Sequence, residues 1–135
     1  MIGKVGEFMR RRDRLFDLLG AELVKVSEGH AKVEMEVKEE HLNAADVCHG
    51  GVIFTLADLA FAVASNSHGK ISLALEVSIT YMKTASAGER IFAEAKEVNS
   101  GRRTATYLIE VRNSKNELLA LAKGTVFRLD RELPL

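Results

Sequence analysis

The chain has 135 residues, enough for one domain (residues 1–135) with a sizeable core. Its 19 basic and 19 acidic residues cancel, and 28% charged against 47% hydrophobic is ordinary for a globular protein. This balance excludes a global electrostatic pull toward nucleic acid or an anionic membrane, and a single cysteine, Cys48, excludes an internal disulfide.

The N-terminal stretch lacks a continuous apolar core and a small-residue cleavage site, so it is not read as a signal peptide, and a cytoplasmic protein is expected. Phe8, Leu15, Leu18 and Leu19 recur at helical spacing, predicting one helix over 5–19 that stops at Gly20. Arg10, Arg11, Arg12 and Arg14 fan around that helix among Glu7, Asp13 and Asp17, which reads as a solvated face. A short strand is predicted over 21–26. A clearer one follows, where Ala31, Val33, Met35 and Val37 alternate with Lys32, Glu34, Glu36 and Lys38.

Residues 38–47 are polar and irregular, and predict a loop. It leads into the longest apolar run of the chain, His49 to Gly69, predicted as a helix from Gly51 to about Ser67. The run is broken by Thr55, Asp58 and Ser65, and is too short and polar to span a bilayer. Beyond it, Leu73, Leu75, Val77, Ile79 and Tyr81 alternate as a strand. Strands over 90–98 and 103–112 follow, joined at Asn99-Ser100-Gly101, then a last strand over 118–128 after the turn Ser114-Lys115-Asn116. A helix, two strands, a buried helix and a meander predict an α+β fold of five to six antiparallel strands curled around the long helix.

On that helix Val52, Ile53, Leu56, Leu59, Ala60 and Val63 form a broad apolar face. Gly51, Thr55, Asp58, Ala62 and Ser65 form a stripe of small and polar residues that a second backbone or a thin ligand can approach. The two glycines at the helix start leave its unpaired N–H groups open to an oxyanion. Asp58 lies two turns further on, roughly 10 Å by helical rise, too far for one carbonyl to touch both. Pairing two such helices antiparallel would bring Asp58 of one protomer to the His-Gly-Gly turn of another, so shared sites at a twofold interface are expected. Asp58 can equally be a structurally held carboxylate. Asn43 and His49 bracket the loop and could orient water or substrate, or serve structure alone. Cys48 reads as a packed thiol, and His30, His41, His49 and His68 show no metal-ligand spacing, so no metal is assigned.

Asn43-(x5)-His49-Gly50-Gly51, then Leu56-Ala57-Asp58, Asn66-Ser67-x-Gly69 and Ile79-Thr80-Tyr81-Met82, resemble the hotdog-fold acyl-CoA thioesterases, nearest the PaaI-type branch of the phenylacetate pathway. The resemblance implies a hotdog fold, dimers through edge strands and tetramers built from them. It implies Asp58 as nucleophile or general base, the Gly50 or Gly51 N–H as polariser of the thioester carbonyl, and Asn43 with His49 placing water or substrate from the neighbouring subunit. Thr55, Thr80 and Tyr81 become substrate-contacting positions, and Lys83, Arg102 and Arg103 phosphate partners of coenzyme A, each cation being readable also as a solvated surface charge. Two departures stand out: Asp46 where relatives often have glycine, and Ala74 where some carry serine. The implied activity is hydrolysis of an acyl-CoA, with an aryl-acetyl group such as phenylacetyl, needing no cofactor beyond the coenzyme A of the substrate. A non-catalytic acyl-CoA-binding module, or an enoyl-CoA hydratase using His49, are the alternatives.

Overall fold

A computed structural model describes all residues, 1–135. The N-terminal segment forms two helices, α1 (Ile2–Arg12) and α2 (Leu15–Leu19), followed by β1 (Glu22–Ser27) and β2 (His30–Glu36). A single 3-10 turn, Glu39–His41, leads to α3 (Gly50–Asn66). Four strands complete the chain: β3 (Lys70–Tyr81), β4 (Arg90–Ser100), β5 (Thr104–Asn113) and β6 (Leu118–Glu132). The strands make one six-stranded antiparallel sheet in the order β1-β2-β4-β5-β6-β3. It wraps α3, the arrangement of a hotdog fold.

From Leu56 onward α3 is rich in the strong helix formers Ala and Leu, while the β-branched Val52, Ile53 and Thr55 stay in its first two turns. It ends where Gly69, at φ +90, turns the chain back and its N–H bonds Asn66 O at 3.0 Å. Ile53, Leu56, Leu59, Ala60 and Val63 are buried as expected, and so are Ala57, Phe61 and Ala64. Each large one contributes about 1.5–3 kcal/mol by leaving water. Against them lies the inner face of β2, where Ala31, Val33 and Met35 are fully covered, with Val37 just beyond. Phe61 meets Tyr107 edge-to-face, with centroids 5.6 Å apart. It also needs Gly124 beneath it: a Cβ there would sit 2.6 Å from the Phe61 ring.

Several expectations are corrected. The N-terminal helix breaks at Asp13, whose extended backbone (φ −83, ψ 105) ends α1 and whose Oδ1 accepts the Leu15 N–H at 3.2 Å. The break rotates the second half, so Phe16 is buried while Leu15 and Leu18 are exposed. Gly20 stops the segment as expected, at φ +74. Ser65, read as part of the open stripe, is buried. The meander covers only β4–β6, because β3 crosses to the far edge beside β6. The β4–β5 turn is displaced to 101–103, since Asn99 and Ser100 still pair with Thr106 and Ala105.

β3 itself does not keep one alternation. A register shift between Ala74 and Glu76 changes parity at Leu75. Ala74, Val77, Ile79 and Tyr81 therefore pair with the inward residues Val126, Gly124, Ala122 and Ala120, while Leu73 pairs with Phe127. Leu73 and Leu75 are 57% and 62% exposed on this edge. Asp46, in the loop before α3, has φ +62, a left-handed conformation that explains why glycine suits the position. Cys48 is a buried thiol, pushed by burial up to about 11, as a packing residue would be.

Candidate active site

Two regions of α3 hold the expected residues. The first is its start. His49 is the N-cap, and its Nδ1 accepts the Gly51 N–H at 3.0 Å. That bond removes Gly51 from the candidate oxyanion donors. It also leaves the His49 proton on Nε2, so the exposed ring presents an N–H outward. The Gly50 N–H meets no acceptor within the chain and stays open. Tyr81, at the end of β3, donates its hydroxyl to Gly50 O at 2.9 Å, and its ring lies over Gly50.

Asn43 shapes the approach to this corner. Its Oδ1 accepts the Ala45 N–H at 2.9 Å and the Val47 N–H at 3.3 Å, an Asx turn that folds the loop. Its Nδ2 group makes no bond within the chain. Thr55, on the open face of α3, spends its hydroxyl on Gly51 O at 2.8 Å.

The second region lies two turns along. Asp58 opens on a cavity of about 150 Å³ between α3, β3 and β6, lined by Phe61, Ala62, Ser65, Ser72, Ala74 and Val126 together with Leu73. It is the only ionisable side chain in that lining, and no hydrogen bond within the chain supports its carboxylate. Burial raises its carboxyl above the usual aspartate value, and the charge of Asp13 raises it further. Asp13 comes near because α1 and α2 pack on α3 and because the break turns its side chain inward: it is half-buried between exposed Arg12 and Arg14. No spacing within the N-terminal segment encodes this approach, which arises from the packing of distant segments.

The cavity walls are held by residues of the Asn66-Ser67 pair. Asn66 Nδ2 bonds Ala62 O at 2.8 Å, and its Oδ1 accepts the Ser72 N–H at 2.9 Å, tying the end of α3 to the start of β3. Ser67 Oγ accepts the Gly29 N–H at 2.7 Å, tying the same end to the β1–β2 turn. Ser65 and Ser72 add hydroxyls to the wall, each donating to a backbone carbonyl. Ala74 lines the cavity with a methyl group where a serine would bring a third.

The remaining expected residues do not gather at either region. Lys83 is paired with Glu117, and Arg103 with Asp130 at 3.3 Å. Only Arg102, exposed in the β4–β5 turn, has no partner. Thr80 is exposed on the β3 edge. Gly50 and Asp58 are eight residues apart on one straight helix, about 12 Å by rise, so one chain does not bring them to a common atom.

The Thioesterase superfamily model matches residues 45–120, more than half of the chain and including the whole of α3. The chain belongs to the thioesterase superfamily. This thioesterase is 36% identical to the acyl-coenzyme A thioesterase PaaI of Escherichia coli, over 90% of its length and 86% of that protein. An Archaeoglobus fulgidus protein, provisionally named an esterase, is 64% identical over 99% of this chain and 87% of its own. Among solved structures, the Escherichia coli PaaI protein of the phenylacetic acid degradation operon superposes with a TM-score of 0.95 at 33% identity, covering 97% of this chain and 95% of that one. A Streptococcus mutans protein solved with acetyl-CoA bound matches with a TM-score of 0.80 at 31% identity, over 84% and 91%. The thioesterase is therefore a hotdog acyl-CoA thioesterase of the PaaI type.

Proposed function

We propose that the enzyme hydrolyses a coenzyme A thioester of a compact acyl group, aryl-acetyl in class, with Asp58 as its catalytic carboxylate. One observation carries this: Asp58 is the sole ionisable group in the lining of an otherwise small-residue and apolar cavity, unsupported by hydrogen bonds and raised by burial. A cavity of about 150 Å³ matches one that takes up a single benzene ring and is short for a long acyl chain. The phenylacetic acid operon of the Escherichia coli relative supports the same acyl class.

In the proposed step, the Gly50 N–H and the His49 Nε2–H polarise the thioester carbonyl. Asp58 takes a proton from water as the water oxygen bonds the carbonyl carbon. The C–S bond then breaks, and the coenzyme A sulfur leaves with that proton. Direct attack by Asp58, with water opening the resulting anhydride, gives the same products. No cofactor is needed to balance either route. Because Gly50 and Asp58 of one chain are too far apart, the donors come from a second copy, with the Asn43 amide beside them. The long exposed β3 edge, with Leu73 and Leu75 uncovered, supports pairing of copies, and a cytoplasmic homotetramer is the setting this reading implies. Arg102, and Lys83 or Arg103 once released from their partners, would meet the phosphates, with Thr55, Thr80 and Tyr81 nearer the acyl end. With Nδ1 capping the helix and Nε2 protonated, His49 is a donor and not a base, which weighs against the hydratase alternative.

Loss of the thioester absorbance of phenylacetyl-CoA, with wild type beside Asp58→Asn, is the test. Turnover that drops on the order of 10³-fold in the variant is expected. A variant that keeps its turnover would overturn the assignment of Asp58. A wild type active on aliphatic but not aryl thioesters would overturn the acyl class, and one inactive on both would overturn the hydrolysis and favour a binding module.

A further inference from the structure

The start of α3 holds a device that neither the helix cap nor the glycines explain alone. Gly50 C=O and Gly51 N–H are the two ends of one peptide unit. The carbonyl end receives the Tyr81 hydroxyl at 2.9 Å, and the N–H end is held by His49 Nδ1 at 3.0 Å. One peptide is thus gripped from both sides, by the end of β3 and by its own N-cap.

Both glycines follow from this grip. A Cβ on Gly50 would lie 3.3 Å from Tyr81 Cζ, and one on Gly51 would lie 3.3 Å from His49 Nδ1. Either contact would shift a gripping side chain by a few tenths of an ångström. The grip also has an electrical consequence. Donation to the carbonyl polarises the peptide and strengthens its N–H as a donor to His49. The better that N–H donates, the more firmly Nδ1 remains the acceptor and the proton stays on Nε2. Burial does not force this bond, since Tyr81 is nearly half exposed and its hydroxyl could reach water instead.

We propose that Tyr81 is a positioning residue which, by clamping the Gly50–Gly51 peptide against His49, fixes the direction of the open Gly50 N–H and holds His49 as an outward Nε2–H donor. The catalytic part of this rests on the proposed function; the clamp itself does not. Tyr81 need not touch the substrate to act.

The clamp is tested in the unliganded enzyme by 15N NMR of the histidine rings, with His49 assigned through its loss in His49→Asn. Wild type should show His49 with an unprotonated Nδ1 and a protonated Nε2. Tyr81→Phe keeps the ring over Gly50 and removes only the hydroxyl. It should move His49 toward a mixture of tautomers and leave His30, His41 and His68 unchanged. Its kcat should fall about tenfold with KM within about twofold, the mark of lost orientation and not of lost binding. An unchanged His49 spectrum overturns the clamp, even if kcat falls. A shifted spectrum with unchanged kcat overturns its part in the reaction. An inactive wild type overturns the proposed function and leaves the spectrum to decide the clamp.

Discussion

The two working regions of α3 are built on opposite principles. At its start, polar groups are paired almost to completion: His49 caps Gly51, Tyr81 holds Gly50, and Asn43 folds the loop, leaving the Gly50 and His49 Nε2 protons facing out. Two turns on, Asp58 is left without a hydrogen bond, in a cavity of small and apolar side chains, with another carboxylate nearby. Donors that must meet a developing charge benefit from being held in place. A base benefits from being destabilised as an anion, because its affinity for a proton then rises. In the proposed reaction the same helix would serve both needs, because its first turn is open and its middle is half-covered by β3, β6 and the N-terminal helices.

The sharpest way to break this contrast is Asp58→Asn. Alongside the loss of turnover, it should gain stability. A folded-state pKa raised above the unfolded value means that the charged carboxylate opposes folding, increasingly as pH rises from the unfolded value through the folded one. Melting at pH 7–8 should therefore show the variant at or above wild type, with the gap closing below the ordinary aspartate range. A variant that melts lower at neutral pH would contradict the unsupported state of Asp58.

Gly124→Ala attacks the cavity and spares the helix start. The new Cβ meets the Phe61 ring at 2.6–2.9 Å, so this buried ring must shift toward the cavity it lines. A cost of about 1–3 kcal/mol is expected in urea unfolding, with an unaltered His49 tautomer. Asp13→Asn is subtler, because an asparagine oxygen can still accept the Leu15 N–H. It removes the neighbouring charge, lowers the Asp58 pKa and shifts the acid limb of the kcat/KM–pH profile to lower pH. A limb that stays in place, or moves up, would remove Asp13 from the account. The smallest effect belongs to Asp46→Gly, which relieves a left-handed backbone at φ +62 in the loop before α3. Stability should rise by less than about 1 kcal/mol, the gain being offset in part by greater freedom of the unfolded chain.

Much of this was legible in the residues. The alternation of β2, the apolar face of α3, the Gly20 stop and the packed Cys48 all appear where periodicity and turn chemistry put them. So do the two glycines at the helix start and the position of Asp58 two turns along the same helix. The apparent alternation from Leu73 to Tyr81 failed at the bulge by Leu75, because one extra residue exchanges the two faces of a strand. Lys83 and Arg103 are cations that their local sequence leaves free for phosphates, but Glu117 and Asp130, distant in the chain, lie beside them.

Local pattern alone settled the order of helices and strands, the faces of β2 and the apolar side of α3, and where an acid and a glycine turn stand on one helix. These are matters of neighbours within a few positions, and periods of 3.6 and 2 record them directly. Tertiary structure decided that Asp13 approaches Asp58, that His49 and Tyr81 grip one peptide, that Gly124 makes room for Phe61 and that β3 ends as an open edge. Each of these depends on which distant segments come together, and their free energy comes from contacts that the spacing of residues along the chain does not encode.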